Sequence, residues 1–396
     1  MMEISDKKLY SLLMAETPCY VIDSEKIEDN CKKLADIAGK TGAKILLAEK
    51  AFSFYPLYPL IGKYLAGTTA SGLYEAKLGA EEMGKETHIF SPAYKEKDMP
   101  FISKICDHII FNSTAQLKKY RDYCLSGKSG RINKLGLRIN PELSTQEGHA
   151  IYDPCAPGSR LGVTSERLAS DIEADRDSLD GVTGFHFHTL CEQGAEPLYE
   201  TVEAVEMKFG RYFKHLDWIN FGGGHHITRK DYNVDLLIQI INYFRDKYKF
   251  EVYIEPGEAV ALDAGYLVTT VLDKTENNGI TNLILDASAA CHMPDVLEMP
   301  YRPPILDGME PGKGKYTYRL GSCTCLAGDV IGDYSFDREI NIGDKLIFGD
   351  MAIYSFVKNN TFNGMPLPDI DVIDGDGKLT VNKKFGYEDF KMRLGK

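Results

Sequence analysis

Short apolar runs alternate with amphipathic stretches over the first two thirds of the chain. Eight runs have strand-like length and end at glycine, serine or polar residues: KILLAE (44–49), GTTAS (67–71), THIFS (87–91), HIIFN (108–112), KLGLRIN (134–140), VTGFHFHTL (182–190), WINFGGG (218–224) and EVYIEPG (251–257). Between them apolar residues recur at helical spacing, as in 73–83, 114–125, 197–215 and 232–247. Apolar strands alternating with helices indicate a parallel sheet, and eight such units predict a closed (β/α)8 TIM barrel, an α/β fold.

The pattern changes after about residue 262. Short strand-like runs follow with few helical stretches between them: LVTTVLD, TNLILDAS, KYTYRLGS, DKLIFGDMAIYSF and DIDVIDGDGKLTV, in which GDGK (375–378) is typical of a hairpin turn. An early run, CYVID (19–23), precedes the first barrel helix and is expected to join the same sheet. The sequence thus predicts a barrel over 25–262 and an all-β domain built from 1–24 and 263–396, a division that suits 396 residues.

Composition narrows the classes of function. The net charge of −12 argues against nucleic acid as a partner, because phosphate backbones attract basic surfaces. Nine cysteines without a C-x-x-C pair are typical of reduced thiols in a cytosol. The start MMEISDKKLY does not resemble a signal peptide, and no apolar run approaches transmembrane length. We therefore expect a cytoplasmic protein with neither a membrane nor a nucleic acid as partner.

In a barrel of this kind the chemistry lies at the C-terminal ends of the strands, often with a phosphate site after strands seven and eight. Lys50 follows the first strand between two alanines, where partial desolvation would lower its pKa and free the amine. Gly222, Gly223 and Gly224 end the seventh strand and allow backbone N–H groups to approach a phosphate. A lysine facing such a cradle indicates a Schiff base with pyridoxal 5'-phosphate (PLP). Position alone leaves a solvated lysine and an ordinary tight turn as alternatives.

Other polar residues at the strand ends add to this hypothesis. Glu255 ends the eighth strand, where its carboxylate could keep a pyridine nitrogen protonated or be an ordinary strand-end charge. His186 and His188 face the same side of one strand, so one of them could stack on a cofactor ring. With His225 and His226 they could instead bind a metal, as in barrel hydrolases, or be core histidines. Because the H-x-H pair lies near the sixth strand and not the first, we expect no metal.

The β domain carries a second set of candidates. Cys323 and Cys325 lie in GSCTCLAGD (321–329), where a thiol could donate a proton or both could be small buried hydrophobes. Carboxylates that could line a site for a substrate amine are Glu258, Asp295, Glu298 and Asp329. Taken singly, each of them is more typical of a surface charge.

Motifs in a constant order run through nearly the whole chain: Lys50, ASGLYE (70–75), GFHFH (184–188), FGGG (221–224), EPGE (255–258), CLAGD (325–329) and MAIYSFVKN (351–359). Together they resemble the fold-type III PLP decarboxylases, the alanine-racemase-like group that contains ornithine and diaminopimelate decarboxylases. Four further segments resemble the carboxynorspermidine/carboxyspermidine decarboxylase branch of that group: HTLCE (188–192), HMPDVLEMPYRP (292–303), SCTCLAGD and VKNNTFNG (357–364).

The resemblance implies a role for each matching residue. Lys50 corresponds to the lysine that carries PLP, His186 to the imidazole stacked on its ring and Glu255 to the partner of the pyridine nitrogen. The residues that correspond to the phosphate cradle are Gly222, Gly223, Gly224, Gly257 of the EPG turn and Tyr354 from the β domain. Cys325 corresponds to a cysteine contributed across a homodimer with shared active sites, and it is the implied proton donor to Cα.

Two positions depart from the family pattern. Glu49 stands where an apolar residue is expected before the lysine, and with Lys50 facing inward it points to the surrounding helices and needs a partner or water. Glu258 stands where the ornithine and diaminopimelate enzymes have arginine, which favours an amine contact. The implied reaction is decarboxylation of carboxynorspermidine and/or carboxyspermidine to norspermidine or spermidine. Its small cationic substrate would meet the carboxylates of Glu258, Asp295 and Asp329.

Three rival interpretations remain open at this stage. One is a decarboxylase for diaminopimelate or another basic amino acid, although a distal carboxylate would call for arginine where Glu258 stands. The second is a PLP-binding regulatory homologue without activity, and the third is a metal-dependent hydrolase. Within the favoured reaction the sequence does not rank the two substrates, because one methylene is worth only about 1–3 kcal/mol in a pocket.

Overall fold

The computed structural model describes residues 4–146 and 150–395. Its strands are β1 Cys19–Asp23, β2 Lys44–Ala48, β3 Gly67–Ala70, β4 Glu86–Phe90, β5 His108–Phe111, β6 Lys134–Asn140, β7 Val163–Thr164, β8 Val182–His186, β9 Trp218–Asn220, β10 Glu251–Ile254, β11 Gly265–Asn277, β12 Ile280–Leu285, β13 Tyr316–Ser322, β14 Val330–Phe336, β15 Lys345–Gly349, β16 Asp369–Ile373 and β17 Leu379–Lys383. Its α-helices are α1 Asp6–Met14, α2 Ser24–Thr41, α3 Tyr58–Ile61, α4 Leu73–Leu78, α5 Met99–Ile105, α6 Thr114–Leu125, α7 Ser165–Ala174, α8 Ala195–Phe209, α9 Val234–Tyr248, α10 Glu258–Ala261, α11 Ala289–His292, α12 Asp295–Glu298, α13 Ser355–Lys358 and α14 Tyr387–Met392. The chain divides into two compact units, Glu28–Val260 and the combined segments Met1–Ile27 and Ala261–Lys396.

The first unit is a closed barrel of eight parallel strands. The order is β2-β3-β4-β5-β6-β8-β9-β10, and β10 pairs with β2 to complete the ring. The two-residue strand β7 lies outside the ring against β6. All eight strands predicted from the apolar runs are present, so the predicted (β/α)8 barrel is confirmed. This arrangement forms because each strand is followed by a short connection and a helix, which returns the chain so that the next strand lies parallel to the previous one.

Packing inside the barrel depends on the single tryptophan of the chain. Trp218 is fully buried with Leu46, Ile110 and Tyr253. A Cβ atom on Gly184 would lie 2.0 Å from its indole ring, so only glycine fits at that position. The indole Nε1 donates to Thr183 Oγ1 at 2.9 Å, which satisfies its one polar group. The interior is therefore a packed core, and space for a ligand remains only toward the strand ends.

The second unit is a mixed sheet of order β14-β13-β12-β11-β1-β16-β17, with β15 also paired to β11. The early strand β1 runs antiparallel to β11 and parallel to β16, so the predicted strand at 19–23 does belong to this sheet. Its core joins α1 to four strands, with Leu12, Val21 and Val268 fully buried. The hairpin predicted at GDGK connects β16 to β17.

Two expectations for this sheet need correction. The run 344–356 was predicted to be one strand, but β15 ends at Gly349 because Asp350 and Tyr354 adopt left-handed backbone angles (φ 54° and 55°). The strand β14 was not predicted, because Gly332 and Asp333 interrupt the apolar alternation of VIGDYSF. Over the described ranges, no helix combines the length and the apolar character that crossing a membrane requires.

Candidate active site

A cavity opens at the C-terminal ends of the barrel strands. It is lined by Ala48, Lys50, Thr69, Ala70, Ser71, Phe90, Arg138, His186, His188, Gly223 and Glu255. Each of these residues lies at or just beyond the end of a strand, except Thr69 and Arg138, which lie within β3 and β6. Four residues predicted from the sequence, Lys50, His186, Gly223 and Glu255, are thus brought together around one space.

The turn after β2 aims Lys50 into the cavity. Ala51 N donates to Ala48 O at 3.1 Å, and Ala48 N donates to Pro256 O at 3.2 Å, so the turn is tied to the end of β10. Gly257 allows this close approach, because a Cβ there would lie 2.6 Å from the Ala51 Cβ. Lys50 Nζ lies 3.5 Å from His188 Nε2.

The Lys50 amine is open to solvent through the cavity mouth but surrounded by protein atoms. Desolvation by these atoms, assisted by the guanidinium of Arg138, lowers its pKa. Both effects favour the neutral amine over the ammonium ion. A lysine of this kind is suited to nucleophilic attack on a carbonyl carbon.

Glu255 is a buried carboxylate at the end of β10, the strand that pairs with β2. Its Oε2 lies 3.1 Å from His186 Nε2, and its Oε1 accepts a hydrogen bond from Asn220 Nδ2 at 2.8 Å. Burial opposes ionisation, but His186 and Asn220 outweigh it and lower the Glu255 pKa to about 2. The group therefore offers a permanent negative charge inside the barrel mouth.

The glycine loop after β9 is held tightly by its own neighbours. Gly222 and Gly224 have positive φ angles of 71° and 84°, and a Cβ on Gly223 would lie 2.6 Å from Glu255 O. Gly222 N donates to Asn220 Oδ1 at 2.9 Å, and Gly223 N donates to His188 Nδ1 at 2.7 Å. Two N–H groups of the predicted phosphate cradle thus have partners within the chain, and a turn of the His188 ring would free that of Gly223.

Arg138, which the sequence analysis missed, also belongs to the cavity. It is 4% exposed, its guanidinium lies 4.5 Å from the centre of the Phe90 ring, and its Nη2 donates to His188 O at 3.0 Å. Desolvation lowers its pKa to about 10. The sequence signal for Arg138 was a charged residue within the apolar run KLGLRIN. This signal can be interpreted only when the side chain at that position is known to point toward the barrel axis.

The two histidines of the H-x-H pair have different surroundings. His186 bonds to Glu255 and stacks on Phe90, with ring centres 5.6 Å apart. His188, which was not among the assigned site residues, lies next to Lys50 instead. Which of the two rings stacks on a cofactor is not decided by these contacts, so the assignment to His186 stays a prediction.

Glu258 already has a histidine partner. Its Oε2 lies 3.0 Å from His226 Nε2, and both side chains are largely buried. Desolvation alone would lower the His226 pKa, but the bond to Glu258 outweighs it and the pKa is raised. A substrate amine at Glu258 would therefore compete with His226, and the predicted amine contact stays a prediction.

In the sheet domain, Asp329 is the hub of a hydrogen-bond network. Its carboxylate accepts from the hydroxyls of Ser288, Ser322 and Thr324 at 2.5–2.7 Å and from Ala290 N at 3.0 Å. Burial opposes ionisation, but these donors lower the Asp329 pKa. These hydrogen bonds stabilise the loop that carries Cys323 and Cys325. The predicted contact of Asp329 with the substrate stays a prediction.

The other candidates of the sheet domain lie near the segment VKNNTFNG. Cys325 is exposed and its N donates to Asn363 Oδ1 at 2.9 Å, while the exposed Cys323 has its Sγ 3.5 Å from Met365 Sδ. Asp295 and Glu298 both contact Lys358 Nζ. Tyr354 is half-buried at the start of α13. Asp295 thus shares one lysine with a second carboxylate, which leaves the pair a net negative charge.

One group of side chains in the described part of the chain has the spacing of metal ligands: Glu86, His88 and His108, at the N-terminal ends of β4 and β5. The Lys44 ammonium contacts Glu86 and also lies 2.7 Å from Glu251 Oε1, and Lys134 Nζ lies 3.6 Å from Glu251 Oε2, so two cations already balance these two carboxylates. The two imidazoles stack, with ring centres 3.9 Å apart. We interpret the group as a polar layer of the barrel core.

The residues of the cavity fit PLP. A lysine of lowered pKa and an ionised, buried carboxylate face the same space, and a glycine loop borders it. His186 Nδ1 is buried without a hydrogen-bond partner among the described residues, as expected at a surface that a ligand covers. These are the groups that a pyridine ring, an aldehyde and a phosphate require.

Comparisons with known proteins agree with this fit. Residues 19–352 match the family model described as "Pyridoxal-dependent decarboxylase, C-terminal sheet domain". The chain is 41% identical to a carboxynorspermidine/carboxyspermidine decarboxylase of Campylobacter jejuni, covering 96% of this chain and 98% of that protein. It is also 41% identical to a carboxyaminopropylagmatine decarboxylase of Synechocystis, with 96% and 95% covered. The crystal structure of the Campylobacter jejuni carboxynorspermidine decarboxylase with norspermidine superposes with a TM-score of 0.86 at 40% identity, covering 96% of this chain and all of that one.

The fold and the site therefore define a PLP-type decarboxylase. The chain belongs to the family of pyridoxal-dependent decarboxylases.

Proposed function

We propose that this protein decarboxylates carboxynorspermidine and/or carboxyspermidine, releasing carbon dioxide and norspermidine or spermidine, with PLP bound at the barrel mouth. The observation that carries the proposal is Lys50 and the ionised Glu255 lining one cavity. Bound PLP supplies the electron sink for the bond broken between Cα and the carboxylate. The Campylobacter jejuni relative, whose named substrates these are, supports the choice of substrate.

The chain's own residues have distinct tasks in this proposal. Lys50, whose pKa is lowered by desolvation, would attach the cofactor covalently and be displaced from it by the substrate amine. Glu255 would keep a proton on the pyridine nitrogen, because a buried, ionised carboxylate stabilises a positive neighbour. His186 or His188 covers one face of the ring, and Gly222–Gly224 with Gly257 and Tyr354 receive the phosphate. Cys325 is the proposed proton donor to Cα.

Carboxyaminopropylagmatine is a second candidate substrate, because the Synechocystis relative is as similar to this chain as the Campylobacter jejuni relative. Carboxyaminopropylagmatine ends in a guanidinium group, whereas the carboxypolyamines end in an ammonium group. A planar guanidinium pairs best with a bidentate carboxylate, and an ammonium group needs only point contacts. Diaminopimelate is disfavoured, since its distal carboxylate would meet the acidic Glu258.

A side-by-side assay tests the proposal. We would measure carbon dioxide release from carboxynorspermidine, carboxyspermidine, carboxyaminopropylagmatine and diaminopimelate, and reduce the protein with borohydride to locate the attached cofactor. Lys50→Ala should abolish attachment and turnover, and Lys77→Ala, a control outside the cavity, should change neither. Turnover of diaminopimelate alone, or cofactor found on another lysine, would overturn the proposal.

A homodimer with shared active sites and a cytoplasmic location belong to the same proposal. If Cys325 acts on the partner subunit's site, mixing inactive Lys50→Ala and Cys325→Ala chains under subunit exchange should restore activity. Random pairing makes half of the dimers mixed, each with one intact site, so recovery should approach roughly a quarter of wild type. No recovery despite proven exchange would show that each chain builds its own site.

A further inference from the structure

Glu49, the residue before Lys50, is fully buried. It does not line the cavity, because it lies on the opposite face of the chain from Ala48 and Lys50. A buried carboxyl group that carries a charge is costly unless it is paired. Because Glu49 immediately precedes Lys50, the contacts that hold its carboxyl also affect the position of Lys50.

Two hydroxyl groups meet the Glu49 carboxyl. Tyr58 of α3, which is also fully buried, donates its hydroxyl to Oε1 at 3.0 Å. Oε2 lies near Thr68 of β3: a Cβ built on Gly79 would be 2.1 Å from Thr68 Oγ1 and 3.1 Å from Glu49 Oε2. Among the described residues neither Oε2 nor Thr68 Oγ1 has a hydrogen-bond partner, and both atoms are buried. A proton on Oε2 that is donated to Thr68 Oγ1 would satisfy both atoms at once.

Within residues 4–146 and 150–395, no positively charged group shifts the pKa of this carboxyl. The titratable groups packed around it are Tyr58, Glu75 of α4 and Cys106 after α5. Burial raises the Glu49 pKa to about 9, Glu75 adds to the rise, and the hydroxyls of Tyr58 and Thr68 oppose it. The carboxyl is therefore neutral at physiological pH, and a neutral acid can donate one hydrogen bond and accept another.

The backbone of Glu49 connects this cluster to the cavity. Glu49 N donates to Thr69 O at 3.1 Å, and Thr69 lines the cavity. We propose that Glu49 is a positioning residue whose neutral carboxyl bridges Tyr58 and Thr68 and fixes the strand end from which Lys50 enters the cavity. The catalytic side of this role rests on the proposed function, whereas the protonation of Glu49 does not.

The protonation state has a consequence for stability. Glu49 binds its proton with a pKa of about 9 in the folded chain and about 4.5 when unfolded. Between these values the folded state holds a proton that the unfolded state has lost. The stability contributed by this group is therefore complete below pH 4.5 and falls as the pH rises toward 9.

Unfolding of the full chain at saturating PLP tests this directly. Glu49→Gln replaces the neutral acid by an amide that can also donate and accept. From pH 6 to about 8.5 the unfolding equilibrium constant of wild type should rise by about tenfold per pH unit relative to Glu49→Gln. Glu81→Gln, which removes an exposed carboxylate nearby, should run parallel to wild type. Parallel curves for wild type and Glu49→Gln would show that Glu49 is ionised in the folded chain and would overturn the inference.

The positioning role needs a readout at Lys50. Glu49→Gln should keep kcat within about threefold of wild type and retain the absorbance band of the attached cofactor. Glu49→Leu removes both hydrogen bonds and should lower kcat by about tenfold or more, because a small displacement of a reacting group such as the Lys50 amine is costly. It should also shift the pH at which the absorbance band titrates, and it should change KM little. Equal losses in both variants would mean that a charge is needed, and no loss in either would remove the role. If wild type turns over no carboxypolyamine, the unfolding slopes still decide the protonation of Glu49.

Discussion

Two buried carboxyl groups occupy matching positions in the barrel and behave in opposite ways. Glu49 is the first residue after β2 and Glu255 the first after β10, two strands that pair with each other. They are 0% and 7% exposed. Nevertheless the pKa is raised to about 9 for Glu49 and lowered to about 2 for Glu255.

Burial is common to both, so the neighbours make the difference. Glu255 faces the barrel axis, where His186 and an amide N–H of Asn220 stabilise its charge. Glu49 faces the helices, where it meets a hydroxyl from Tyr58 and the carboxyl of Glu75. A buried acid is thus ionised on the face that lines the cavity and neutral on the face that packs against the helices.

The largest expected effect is on kcat, which should depend on the charge of Glu255 but not on a charge at Glu49. Glu255→Gln removes the charge that would hold the pyridine nitrogen protonated, so kcat should fall by roughly 10²–10³-fold, as is usual for loss of a preorganised charge partner. Glu49→Gln keeps a neutral group neutral and is the matched control. Steady-state kinetics with saturating PLP measures both. A Glu255→Gln variant with wild-type kcat would contradict the contrast.

The support around Glu49 should be sensitive to added volume. Gly79→Ala would place a Cβ 2.1 Å from Thr68 Oγ1, and overpacking of this kind should lower the free energy of unfolding by about 2–3 kcal/mol. Gly39→Ala in α2 meets no atom within 4 Å and should instead stabilise by about 0.5–1 kcal/mol. Urea denaturation of the two variants measures this difference. An equal free energy of unfolding for the two variants would mean that Thr68 and Glu49 can move to accommodate the added methyl group.

Removal of one donor should have a smaller effect. Tyr58→Phe leaves Glu49 Oε1 buried without its hydroxyl partner and should lower the free energy of unfolding by about 1–2 kcal/mol. Tyr55→Phe, at an exposed residue close by in the chain, should stay within about 0.5 kcal/mol of wild type. Thermal and urea unfolding provide the measurement. A neutral Tyr58→Phe would indicate that water replaces the hydroxyl.

The smallest effect is expected in acid. The Glu255 pKa is lowered from 4.5 to about 2 on folding, so its stabilisation is complete above pH 4.5 and is lost as the pH falls toward 2. From pH 4.5 to 3.5 the free energy of unfolding of wild type should drop by about 1 kcal/mol relative to Glu255→Gln. Over that interval Glu49→Gln should follow wild type, because Glu49 stays protonated in the folded chain. An identical acid profile for Glu255→Gln would argue against stabilisation of the ionised Glu255 carboxylate in the folded chain.

The sequence predicted much of the fold because the barrel strands have a simple periodic signal. All eight apolar runs became strands, and the helix predicted at 114–125 has those limits in the structure. Prediction failed where local backbone geometry interrupts the pattern, at Asp350 and Tyr354, and where polar residues lie in the strand β14. Left-handed backbone at non-glycine residues leaves little trace in a hydrophobic pattern.

The site was predicted in part for a related reason. Lys50, Glu255 and the glycine loop stand at strand ends, so their position along the chain already indicates the barrel mouth. Arg138 and Asn220 were missed, because an inward-facing polar side chain inside a strand is recognised only when the direction of that strand is known.

By itself the sequence determined the order of strands and helices, the place of Lys50 at the first strand end, and the presence of an acid beside it. It could not decide that Glu49 is neutral and Glu255 charged. Proton affinity depends on which donors and charges lie within a few ångströms, and those neighbours come from four other elements, β3, β8, β9 and α3. Only closure of the barrel brings them together, with His186 and Asn220 at one carboxyl and Tyr58 at the other.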